Sequence, residues 1–222
     1  MRRIFIVAFA VVSQITFAQV TKKLGEFNEI KVSDKLNVEL ISALENKIVI
    51  SGERESEVEV VNKNGELKLR MPFPKLLSGN DITIKLYFTN IDGISANEGS
   101  YITSEAVFNQ TIIDIEAKEG AEIVLKLDTE KVNVKAVTGG KITLSGKVSN
   151  QQVTIMSGGV LNSKDLHTSQ TTVNVSAGGK AEVNASTLVD AKVKAGGNIY
   201  IYGKPKQINQ ETILGGNIEE KE

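Results

Sequence analysis

The segment Lys131-Val132-Asn133-Val134-Lys135-Ala136-Val137-Thr138-Gly139-Gly140-Lys141-Ile142-Thr143-Leu144 puts apolar residues at alternate positions on both sides of a Gly-Gly pair. Alternation is the period of a β-strand with one buried face, so the segment predicts strand, sharp turn, strand. The arrangement recurs. Gly-Gly pairs stand at Gly139-Gly140, Gly158-Gly159, Gly178-Gly179, Gly196-Gly197 and Gly215-Gly216, and Gly99 and Gly120 extend the series upstream. Successive intervals from Gly99 are 21, 19, 19, 20, 18 and 19 residues. Five and three positions before the markers lie pairs such as Ile94/Ala96, Ile115/Ala117 and Val173/Val175. Three positions after them lie Ile102, Ile123, Ile142, Leu161, Ala181, Ile199 and Ile218.

Short strands repeated at a constant period of this length make a solenoid, because no single repeat can bury its apolar face alone. The expected fold is all-β, a single-stranded parallel β-helix (β-solenoid) with about 19–20 residues per coil and an N-terminal β cap. The glycines serve as turns, where positive φ costs them little and where stacking every ~4.8 Å crowds side chains. Proline is absent between Lys75 and Lys204, as a stack that needs every N–H requires. The regular coils are expected over 91–218. Residues 25–90 read as less regular capping strands, with Asn64-Gly65 as a hairpin turn. The charged Glu219-Glu220-Lys221-Glu222 blunts the far end.

Residues 1–18 read as a secretory signal peptide. Arg2 and Arg3 precede the apolar run Ile4 to Val12, and Thr16-Phe17-Ala18 supplies small residues before a cut after Ala18. That run is too short to span ~30 Å of hydrocarbon, and no cysteine follows it for lipid attachment. Residues 19–222 are then one exported domain of the periplasm or cell surface, not membrane-spanning after cleavage.

Composition narrows the chemistry. Among 222 residues there is no cysteine, no tryptophan and one histidine, His167. Thiol nucleophiles, disulfides and multi-histidine metal sites are therefore excluded. Lysine and arginine total 26 against 27 acids, a balance that gives no reason to expect nucleic acid. Glycan-active β-helix enzymes need clustered carboxylates on one outward sheet. Asp114, Glu116, Asp128, Asp165 and Asp190 are the candidates, and their offsets from the glycine markers are read as scattered, which favours solvated strand faces. His167 sits beside Asp165 and Ser169, but sequence neighbours do not make a triad. Gly-Gly-Asn at Gly196–Asn198 and Gly215–Asn217 lacks the aspartates and nine-residue period of calcium rolls, so Asn198 and Asn217 are read as turn formers or an amide ladder. No catalytic residue, metal or cofactor is expected. Tyr200 and Tyr202 alternate with Ile199 and Ile201 and point away from the core. They are the candidate binding surface, either an aromatic platform for a sugar or protein partner or an outward cover for the last coil.

Phe27-Asn28-Glu29-Ile30-Lys31-Val32, Asn37-Val38-Glu39-Leu40, Asn64-Gly65-Glu66-Leu67-Lys68-Leu69, the Gly-Gly turns and Gly196-Gly197-Asn198-Ile199-Tyr200-Ile201-Tyr202-Gly203-Lys204-Pro205 together resemble one family. It is the putative auto-transporter adhesin, head GIN domain family of Bacteroidetes, and the resemblance runs from about Phe27 to Ile218. Its Gly-Ile-Asn triplet is here Lys35-Leu36-Asn37, and its Ser-Gly-Ala turns are here mostly Gly-Gly. The resemblance implies a β-helical fold, export and an adhesin-like role, and transfers no catalytic residue. The expected function is an exported, non-enzymatic binding or adhesin-like module of the cell envelope or surface, with an envelope protein or a glycan as partner. A glycan-active β-helix enzyme and a self-assembling structural protein are the rivals.

Overall fold

The computed structural model describes residues 19–222, and the export segment expected over 1–18 lies outside them. The N-terminal third holds β1 (Gln19–Lys23), β2 (Glu29–Val32), β3 (Asn37–Ser42), β4 (Lys47–Ser51), β5 (Glu59–Lys63), β6 (Glu66–Arg70) and β7 (Thr83–Phe88). A 3₁₀ turn over Glu55–Glu57 is the one helical piece among the described residues. Then follow β8 (Gly93–Ala96), β9 (Tyr101–Phe108), β10 (Ile112–Lys118), β11 (Glu122–Val137), β12 (Lys141–Met156), β13 (Val160–Ser176), β14 (Lys180–Lys194), β15 (Asn198–Tyr202), β16 (Gln207–Ile213) and β17 (Asn217–Glu220).

The fold is an all-β solenoid. Strands β10 to β14 pair in parallel, each with the next, one repeat apart, as in Ile123↔Ile142 and Val134↔Val153. Each of β11 to β14 is long because it runs through a corner; in β11 and β12 the pairing skips only Glu130 and Ser149 there. A coil therefore has a first run, such as Glu122 to Leu127, and a second run, such as Lys131 to Val137. Period-two patterning decides which side chains point in: Ile123, Leu125, Leu127, Val132, Val134 and Ala136 are all buried in one continuous core.

The tight turn closing each coil has two central residues at positive φ, the geometry of a type I′ turn. The leading one is not glycine: Glu98, Glu119, Thr138, Ser157 and Ala177 lie at φ 50 to 54°. Gly99, Gly120, Gly139, Gly158 and Gly178 follow at φ 70 to 80°. The second member of the pairs Gly139-Gly140 and Gly158-Gly159 has a different reason to be glycine. Gly140 is buried, and a Cβ there would land on the Ala117 carbonyl of the preceding coil, with the Lys118 nitrogen at 2.9 Å. Around Gly139, by contrast, the nearest atom lies 4.0 Å from the added Cβ. The turns also bond to one another, Gly120 N–H to Thr138 O at 3.1 Å and Gly139 N–H to Ser157 O at 3.2 Å. The corner is thus a ladder of its own.

The N-terminal end departs from chain order. Strands β2 and β3 form a regular coil inside the stack, paired in parallel with β8 and β9 on one side and β6 and β7 on the other. The first coil in sequence is therefore the second in space. Beyond it β4 adds antiparallel to β7, β1 antiparallel to β4, and β5 antiparallel to β6. This antiparallel layer ends growth of the parallel stack on that side. At the first coil's turn, Asp34 and Lys35 both lie at φ 63°, so Lys35 holds the place of the glycine of the Gly-Ile-Asn triplet. The buried Asp34 carboxylate accepts hydrogen bonds from the Met71 and Leu77 amides, each at 3.0 Å, and so ties the loop after β6 to the stack. At the other end β16 and β17 bring Ile208, Ile213 and Ile218 over the core, only partly covered.

Candidate functional site

In-register stacking turns each outward position of a strand into a row along the rod. One such row reads Glu66, Glu29, Gly93, Asp114, Asn133, Gln152, Thr172, Asp190, Asn209. The sequence expectation that the carboxylates share no stacked position is therefore wrong for Asp114 and Asp190. Both stand six residues before their glycine marker. Four coil steps separate them, about 19 Å at ~4.8 Å per step, beyond the ~5–9.5 Å that paired glycosidase carboxylates need. Glu116 lies on the same face of β10 as Asp114, and there the chemistry argues against proton transfer. Burial pushes the Glu116 carboxyl up, but hydrogen bonds and charge from Lys118 and Lys135, at 2.7 and 2.8 Å, hold it below its usual range. A glycosidase acid needs a raised value.

The corner row is Asp128, Lys147, His167, Asn184. His167 is exposed, and Lys147 stands between it and Asp128, so no Asp–His hydrogen bond can form across two coil steps of ~4.8 Å. Asp165 pairs in register with Ser145 and is exposed two residues before His167, with no hydrogen bond between the two. No group of three or more His, Asp or Glu suited to a metal ion occurs among the described residues.

Tyr200 and Tyr202 are half-buried on the outward side of β15, over buried Ile199 and Ile201. The Tyr200 ring is flanked by Lys180 at 5.4 Å and Lys221 at 5.3 Å. Both ammonium groups are held above their usual range, first by hydrogen bonds to Glu182 and Glu219 respectively, against a smaller opposing effect of burial. Tyr200 is thus flanked by two lysines, each tied to a glutamate.

A groove of about 640 Å³ opens on the face of the second runs, with Gly93 in its lining. At that row position the coils on either side carry Glu29 and Asp114; Gly93 carries nothing, and Ser95 beside it is small. Glu29 and Lys31 form one wall, Asp114 and Glu116 the other, and Asn133 and Lys135 continue it one coil further. Asn133 Nδ2 donates to Asp114 Oδ1 at 2.6 Å, while its own Oδ1 is buried with no hydrogen-bond partner. Sequence reasoning missed this groove. The signal was present, because six residues before each marker stands a polar side chain everywhere except at Gly93.

A family model described as "Putative auto-transporter adhesin, head GIN domain" matches residues 26–205. The chain belongs to this family. Solved structures show the same fold as this head GIN domain. A putative adhesin from Bacteroides fragilis superposes with a TM-score of 0.83 at 20% identity, covering 94% of this chain and 98% of its own. A putative adhesin from Parabacteroides distasonis gives 0.75 at 18% identity, with 93% and 97% covered. A protein of the same organism described as a putative lipid binding protein gives 0.70 at 15% identity, with 92% and 96% covered. No curated protein matches. Among the described residues of the head GIN domain, no helix is long and apolar enough to cross a membrane.

Proposed function

We propose that this head GIN domain is an exported, non-enzymatic binding module of the cell envelope or surface that recognises its partner on the outward strand faces. The observation carrying this reading is the in-register stack itself. Backbone ladders hold rows of polar side chains at fixed ~4.8 Å spacing, while the carboxylates and His167 are kept apart or clamped by lysine. Rigid, repeated, weakly interacting groups suit binding by many small contacts. Names of the structural relatives as adhesins support the same reading. The test is cell fractionation with protease accessibility of the full chain, plus adhesion of the purified protein to cell surfaces. Protein outside the inner membrane that adheres supports the proposal; a cytoplasmic, non-adherent protein overturns it.

The C-terminal end favours a second reading, self-assembly. Strands β16 and β17 each have one partner strand among the described residues, so each leaves an edge open. Light scattering over a concentration series decides it: growth in mass supports assembly, and a steady monomer removes it.

A further inference from the structure

We infer that the groove at Gly93 is a binding site for a neutral, polyhydroxylated ligand, a segment of oligosaccharide; the inference rests on the binding-module reading and names its ligand class. The groove exists because one coil lacks the side chain that its neighbours carry at the same row position. Its walls present hydrogen-bond acceptors and donors interleaved. Acceptors are the carboxylates of Glu29, Asp92 and Asp114, while those of Glu66 and Glu116 are held by Lys68 and by Lys118 and Lys135. Donors are Lys31, Lys131 and the Ser95 hydroxyl, and Lys31 and Lys131 make no ion pair among the described residues. An ammonium only donates and a phosphate or carboxylate only accepts, so either would satisfy half of this set and oppose the other. A hydroxyl does both, and a chain of sugars presents many of them. No aromatic side chain lines the groove, so the contact is polar, weak at one site and suited to display in many copies.

The test is NMR titration of the full chain with mannan, dextran and cello-oligosaccharide fragments, beside chitosan and hyaluronan fragments and basic and acidic peptides as comparators. The expected result is that at least one neutral fragment shifts the amides of β8, β10 and Asn133, with dissociation constants in the millimolar range. Gly93→Gln supplies the amide side chain that the row carries at Gln152. Its Cβ meets only the flexible Glu29 side chain, Cγ at 3.0 Å and Cβ and Cδ at 3.6 Å, so the fold is retained. It should weaken binding at least tenfold, while Thr172→Gln, further along the same row, leaves binding unchanged. Binding unaffected by Gly93→Gln, binding of only the charged fragments or the peptides, or no shift with any neutral fragment overturns the assignment. Adhesion of the Gly93→Gln variant separates the two claims. Adhesion without glycan binding in the wild-type protein removes the glycan site and leaves the module; absence of adhesion in the wild type removes the module.

Discussion

The paired glycines allow a sharp test of how the stack is held, because adjacent residues are glycine for unlike reasons. At Gly139 the cause is φ 75°, with open space around the missing Cβ. Replacing it with alanine costs roughly 1–2 kcal/mol of left-handed strain, offset by about 0.4–1 kcal/mol from a less flexible unfolded chain. The net loss is near 1 kcal/mol, or about 2–4 °C in Tm for a domain of this size. At Gly140 the alanine Cβ would strike the Ala117 carbonyl. That backbone is pinned between Ala96 and Ala136 by ladders on both sides. Overpacking costs about 1–3 kcal/mol when side chains can yield; against a fixed backbone about 3 kcal/mol or more is expected, some 6–12 °C. Thermal and denaturant unfolding of Gly139→Ala and Gly140→Ala, with amide exchange in β10 to β12, measures both. Equal losses, or a milder Gly140→Ala, would refute the claim that Gly140 is demanded by contact between coils.

Thr138 occupies φ 50° with a β-branched side chain, and Asn-Gly is the preferred type I′ pair, so Thr138→Asn should raise stability by about 0.5–1 kcal/mol, read as an upward shift of the denaturant midpoint. Ser163 is buried between the Gln151 amide, which donates to it at 3.2 Å, and the Glu182 carbonyl at 2.7 Å; Ser163→Ala should cost about 1–3 kcal/mol by orphaning Gln151 Nε2, read by denaturant titration. Burial, then the charges of Asp34 and Glu119, push the Glu98 carboxyl above its usual range. The folded state therefore holds that proton more tightly, and its contribution to stability is lost as pH rises through the folded value. Glu98→Gln should accordingly raise Tm at neutral pH and change it little in acid. Glu116, held low by its lysines against burial, has the opposite sign: its stabilisation is present above the unfolded value and lost as pH falls through the folded one. Glu116→Gln should flatten the acid limb of the Tm–pH profile.

Much of the architecture was legible without coordinates. The alternation around Gly139 and the recurrence of the markers specify parallel coils because period-two burial leaves each strand one side to hide, and only an identical neighbour hides it. The outward placement of Tyr200 and Tyr202 follows from the same parity. The N-terminal excursion was not legible. Nothing local in Phe27 to Ser42 says that the chain will leave that coil, build β4 to β7 outside it, and return to stack β8 on β2, since the partners lie 64 residues apart, as Glu29 and Gly93 do. The split of duties within Gly139-Gly140 and Gly158-Gly159 was hidden too, because the first glycine answers to its own φ and the second to a carbonyl supplied by another coil.

The sequence by itself determined the strand period, the coil length and which face of each strand is buried, all properties of neighbours along the chain. Tertiary structure alone decided which outward residues meet. Asp114 and Asp190 fall in one row, Lys147 comes between Asp128 and His167, and the gap at Gly93 becomes a groove with Asn133 on its wall. The physical reason is that a recognition surface on a solenoid is made across coils, by residues some nineteen positions apart, so its shape depends on the register that stacking imposes.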